Sequence, residues 1–122
     1  MTNGIVNIGI IGAGMVAEEH ITSGISMLDN ARVTWVADIN DKQLAKFKNG
    51  FNIPNATTNY REMLADKALD AVIICTPPRL HKQMYLDCLC AKKHTLVEKP
   101  FACTLADAEY LIQLARERNL LC

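Results

Sequence analysis

Four short clusters in this sequence combine residue types and spacings that could do chemistry. The first is Gly12-Ala13-Gly14-Met15-Val16-Ala17, a G-x-G-x-x-A turn. The second is Asp38, 21 residues beyond Ala17, with Ile39 directly after it. The third is Cys75-Thr76-Pro77-Pro78 with His81 close behind, and the fourth is Glu98-Lys99-Pro100. The glycine turn suits a pyrophosphate. Gly12 lets the chain leave a strand tightly, and Gly14 has no side chain to hold phosphate oxygens off the backbone. Ala17 is small enough for the following helix to lie close to the sheet. That helix would offer unpaired N–H groups and the positive end of its dipole. Ala13, Met15 and Val16 belong to the same turn and are assigned to the same ligand. Asp38 falls where an acid meets the adenosine ribose of a dinucleotide, accepting from the hydroxyls and repelling a 2′-phosphate. Ile39, which follows it, is assigned to the cofactor with it. Asn40 comes next and the nearest cation in sequence is Lys42, so the pattern favours NAD over NADP.

These clusters need elements to position them. Ile5 to Ile11 is a near-continuous apolar, β-branched run ending at the glycine turn, which predicts a strand buried on both faces. Met15 to about Leu28 predicts a helix, Ala31 to Ala37 a second strand stopped by Asp38, and Asp41 to Lys48 a short helix. Asn52 to Asn59 reads as loop with room for a short strand, and Tyr60 to Ala65 as a brief helix. Leu69 to Cys75 predicts a third strong strand, Arg79 to Ala91 a helix, and His94 to Val97 another strand. Thr104, with Asp107 three residues on, opens a helix reaching about Arg118, and Leu120-Leu121-Cys122 reads as the start of a further strand. Strands alternating with helices imply an α/β fold, a doubly wound parallel sheet with helices on both faces. Such sheets bind ligands at the carboxyl ends of their strands, where all four clusters fall.

Composition narrows the function classes. A chain of 122 residues has the size of one domain, taken as residues 1–122. Thirteen basic residues balance thirteen acidic ones, which argues against nucleic acid or an anionic membrane as partner. No apolar run is long enough to span a bilayer, and the start lacks the charged region of a secretion signal. Five cysteines, an odd number with no C-x-x-C spacing, read as reduced thiols in the cytoplasm. No cluster has metal-ligand spacing; Cys88 and Cys90 lie two apart on a helix and point to different sides.

The segments VNIGIIGAGMVAEEH (Val6 to His20), DAVIICTPPRLH (Asp70 to His81) and HTLVEKPFACT (His94 to Thr104) together resemble the glucose–fructose oxidoreductase, inositol dehydrogenase and MocA group of enzymes. The resemblance covers essentially the whole chain. It implies the Rossmann cofactor domain of a two-domain NAD(P)-dependent oxidoreductase, with the substrate domain and its catalytic His absent from this chain. It implies a substrate that is a sugar, polyol or related small molecule, and a full-length protein that is a homo-oligomer. Lys99 carries over as the catalytic residue, reaching cofactor and substrate oxygen. Glu98 would orient Lys99 or contact the nicotinamide ribose, and Cys75, Thr76, Pro77, Pro78 and His81 would line the cofactor. Plainer readings of the bare residues stay open: Asp38 as a helix cap, Lys99 as a surface lysine, His81 as a polar residue at a helix start. His20 reads as structural, on the far side of its helix from the phosphates. Two other functions share the pattern: a non-catalytic dinucleotide sensor, and a reductase of the biliverdin or dihydrodipicolinate kind.

Overall fold

A computed structural model describes residues 4–122. Five strands form one parallel sheet: β1 (Val6–Ile11), β2 (Ala31–Ala37), β3 (Asn55–Thr57), β4 (Ala71–Ile74) and β5 (His94–Val97). Their order in space is β3-β2-β1-β4-β5. The helices are α1 (Met15–Ser23), α2 (Asp41–Gly50), α3 (Tyr60–Leu64), α4 (His81–Cys90) and α5 (Leu105–Glu117). The alternation of the strands divides the core into two layers. Ile8, Ile10 and Val36 pack with Ala17 and Ile21 of α1 and Leu44 and Phe47 of α2. Ile11, Val72 and Ile74 pack on the other face with Met63, Tyr85, Leu89 and Leu111 from α3, α4 and α5. A central strand apolar on both sides is what two helical layers require. This is the doubly wound sheet that the sequence predicts.

Side chains set several of the boundaries. Asn40 caps α2 by accepting from Gln43 N, Asn59 caps α3 from Arg61 N, and Thr104 caps α5 from Asp107 N. Other boundaries differ from those predicted. The apolar spacing Ile21, Ile25, Leu28 runs on, but α1 stops at Ser23: Gly24 leaves helical geometry at φ −127° and ψ −82°, and a single 3-10 turn, Ile25–Met27, follows. The helix predicted from Arg79 begins instead as a 3-10 turn, Pro78–Leu80, before α4. Leu120 to Cys122 is not a strand. Leu121 lies beside β5 through one backbone bond, Thr95 N to Leu121 O at 3.0 Å, and donates its own N–H to His94 Nδ1 instead of extending a ladder. No helix among the described residues is long and apolar enough to cross a membrane.

Candidate cofactor cleft

The strand order reverses at β1, with β2 on one side and β4 on the other, which opens a crevice beyond the carboxyl ends of the strands. The ladder hydrogen bonds run one residue past each strand and so deliver the four clusters there side by side. Gly12 N donates to Ala37 O (2.8 Å), Cys75 N to Ile11 O (2.8 Å), Glu98 N to Ile74 O (3.0 Å), and Asp38 N to Thr57 O (3.2 Å).

The glycine turn is built for close approach. Gly12 has φ +97°, and a β-carbon there would stand 2.8 Å from the Cys75 carbonyl oxygen. Gly14 is the N-cap of α1 and no side chain caps that helix, so its first N–H groups are left for a ligand. A β-carbon on Gly14 would meet nothing within 4 Å; the space over it is open. Asp38 braces this turn from the neighbouring strand. Its Oδ2 accepts from Ala13 N at 2.7 Å and its Oδ1 from Asn40 N at 2.8 Å. Gln43 Nε2 donates to Ala13 O at 2.5 Å, a second brace that the sequence did not reveal. Asn40 holds the cap of α2, so Asp38 is not that cap. A cleft of about 290 Å³ lies beside the turn, between Asp38 and Ile39 on one side and Thr76, Pro77 and Arg79 on the other. Ile39 is 91% exposed, an apolar platform at the mouth. Cys75 also lines the cleft; burial, then the nearby Glu98 charge, pushes its thiol up to about 12, so it meets a ligand as a neutral packing group. Met15 stands exposed at the start of α1, and Pro78 is exposed in the 3-10 turn.

The Glu98 corner sits across β4, at the tip of β5. Glu98 Oε1 lies 2.6 Å from His20 Nε2, and Oε2 accepts from Lys99 N at 3.2 Å. The His20 hydrogen bond, helped by the Lys99 N–H and the charges of both residues, holds Glu98 below the usual carboxylate range. His20, expected to be structural and away from the phosphates, is placed against Glu98. Val16 lines a smaller hollow with His20 and Glu98. Lys99 is exposed, its Nζ makes no hydrogen bond or ion pair among the described residues, and its peptide to Pro100 is cis. His81 corrects another expectation. Its ring is 1% exposed, with Nε2 2.7 Å from Thr76 O and Nδ1 2.9 Å from Pro100 O. It ties the third and fourth clusters together from beneath and does not face the cleft. No group of three or more metal-ligating side chains occurs among the described residues.

A reversed strand order, an uncapped helix behind a glycine turn, and an acid at the tip of the next strand define a dinucleotide-binding domain of Rossmann type. Comparison with known proteins narrows this. The family model for the Gfo/Idh/MocA oxidoreductases, described as "Oxidoreductase family, NAD-binding Rossmann fold", matches residues 6–122, and the chain belongs to that family. It is 28% identical to the myo-inositol 2-dehydrogenase of Thermotoga maritima over 95% of this chain and 34% of that protein. The WlbA dehydrogenase of Chromobacterium violaceum, solved with NADH and UDP-GlcNAcA, superposes with a TM-score of 0.89 at 25% identity, over 98% of this chain and 34% of that one. Biliverdin reductase from Synechocystis, solved with biliverdin and NADP+, gives 0.88 at 28% identity, over 95% of this chain and 36% of that one. The chain thus spans about a third of the length of the relatives it matches.

Proposed function

We propose that this chain is the cofactor-holding part of an NAD-dependent oxidoreductase acting on a carbinol carbon of a sugar, polyol or related small molecule. The observation that carries the reading is the convergence of the uncapped α1 N-terminus, the Gly12 turn and the Asp38 carboxylate on one sheet edge. A pyrophosphate fits this surface: the space over Gly14 is open, and a helix N-terminus favours an anion by about 0.3–1 kcal/mol. Each Asp38 oxygen holds one backbone N–H and keeps a further lone pair for a ribose hydroxyl, which favours NAD over NADP. The bound dinucleotide supplies the hydride acceptor or donor. Lys99, its ammonium unpaired, polarises the substrate oxygen and stabilises charge developing there. Glu98, anchored by His20, fixes the Lys99 backbone through its second oxygen. Substrate selection and the remaining acid–base chemistry belong to the part of the relatives that lies outside the matched third. In the same reading the protein works in the cytoplasm as a homo-oligomer, without nucleic-acid or membrane partners. The likeness to biliverdin reductase supports a second reading, reduction of a tetrapyrrole-like substrate, at the same cofactor edge.

Calorimetric titration of NADH and NADPH into this chain tests the cofactor assignment. NADH should bind more tightly, and Asp38→Asn should weaken it by about 1–3 kcal/mol, the scale of a lost charged hydrogen bond, while NADPH loses less. Failure of both dinucleotides to bind refutes the reading. Equal losses for both would leave Asp38 as a brace of the turn alone. A screen of the complete enzyme against sugars, polyols and biliverdin separates the two substrate classes.

A further inference from the structure

We infer that Arg79 forms one wall of the adenine pocket, its guanidinium plane lying on the ring face opposite Ile39. The inference rests on the dinucleotide reading and adds the residue that grips the adenosine end. Among the described residues Arg79 is the only cation lining the cleft, and Asp38 its only acid. The two are not spent on each other: both Asp38 oxygens hold backbone N–H groups. Arg79 itself is exposed and has no hydrogen bond or ion pair among the described residues. Arg61, by contrast, is engaged by Asp87 and the Tyr60 ring, and Arg32 by Asn7.

Its position selects the adenine over the rest of the dinucleotide. Arg79 lies in the 3-10 turn Pro78–Leu80 that follows β4, and Leu80 N closes the turn on Pro77 O at 3.0 Å. Ile39 follows β2, two strands away across β1. Both residues line the same cleft, Ile39 from beyond β2 and Arg79 from beyond β4. The pyrophosphate is taken by Gly12 to Val16 over β1, and the nicotinamide lies towards Glu98 and Lys99 at the other end. What remains beside Asp38 is the adenosine. An apolar platform on one face and a planar cation on the other are complementary to a purine.

The test is titration of AMP, ADP-ribose, NADH and reduced nicotinamide mononucleotide into this chain and its Arg79→Ala and Arg79→Tyr variants. Arg79 sits in an exposed turn, and circular dichroism checks that each variant is folded. Arg79→Ala should weaken AMP, ADP-ribose and NADH alike by about three- to thirtyfold, the range of a cation–π contact, and leave the mononucleotide unchanged. Arg79→Tyr, which keeps a flat face without the charge, should recover most of the loss. A loss confined to ADP-ribose and NADH, with AMP unaffected and tyrosine giving no rescue, would make Arg79 a pyrophosphate clamp and overturn the inference. So would a flat series in a chain that binds NADH normally. A parent chain that binds no dinucleotide would instead bring down the cofactor reading and this inference with it.

Discussion

The two oxygens of Glu98 go to different partners, Oε1 to His20 and Oε2 to the Lys99 N–H, so the corner is held from both sides. In the complete enzyme, His20→Ala should free the carboxylate and let its pKa rise towards the ordinary value. Glu98 is charged above its folded pKa and loses that charge as pH falls through it, so the acid limb of the pH–rate profile should move to higher pH in the variant. His20→Gln, which restores a donor, should move it part of the way back; an unmoved limb would make the pair a packing contact. Lys99→Met keeps the apolar stem and removes the cation. It should lower kcat at least about a hundredfold while NADH affinity changes much less, and a change in KM alone would reduce Lys99 to a binding residue. The placement of Lys99, Glu98 and Asp38 at strand tips was legible in the sequence because each closely follows a strand in a short local motif. The His20–Glu98 contact was not, since it joins residues 78 apart and no periodicity encodes which helix leans over which strand tip. His81 stood out as a functional position, but its direction depended on Pro100 folding back over its ring.

At the scale of elements, the turn between β1 and α1 should separate folding from binding in two glycines that flank Ala13. Gly12→Ala puts a β-carbon against the Cys75 carbonyl at a positive φ, and should destabilise the chain by about 2 kcal/mol or more in urea unfolding. Gly14→Ala meets open space at φ −103°, so its unfolding midpoint should stay near the parent's. The new methyl occupies the space assigned to the pyrophosphate, and NADH affinity should drop by about tenfold or more, since displacing the ligand there loses its N–H contacts. Loss of stability in both variants, or in neither, would contradict this division. The strands and the two core layers were readable because burial on both faces leaves continuous apolar runs. The end of α1 was misread because Ile25 and Leu28 keep the helical spacing while Gly24 breaks the backbone; pattern and propensity disagreed there, and the backbone decided. The tail beside β5 shows strand-like composition without a ladder, because one of its N–H groups goes to the His94 ring.

For the molecule as a whole, burial has placed several acids where they ionise late. Cys75 and Cys88 are both pushed up to about 12, chiefly by desolvation, and the phenols of Tyr60 and Tyr85 are raised by burial first as well. In the unfolded chain thiols lose their protons near about 8.5. The stability these groups contribute is therefore complete below that pH and is lost progressively as pH climbs towards 12, each unmatched proton being worth about 1.4 kcal/mol per pH unit. Lys93 works the other way. Burial lowers its pKa while its Nζ donates to the Asp66 and Leu69 carbonyls, so raising the pH up to the ordinary lysine value relieves a penalty. In the window from pH 8 to pH 10 the two thiols outweigh one ammonium, the phenols adding their loss only above about 10, and the urea midpoint should fall across it. Replacing Cys75 and Cys88 together by Ala should flatten that fall; a parent curve already flat would show the thiols to be reached by water. The strand order has a consequence for synthesis. Of the five described strands β1 comes first in the chain and lies at the centre of the sheet, and on its β4 side Asn7 N bonds to Asp70 across 63 residues. A nascent chain must hold one edge of its central strand unpaired until β4 has left the ribosome, and the Cys75 carbonyl that seats Gly12 arrives with it. A dinucleotide can therefore stabilise only a sheet in which β4 is already paired with β1.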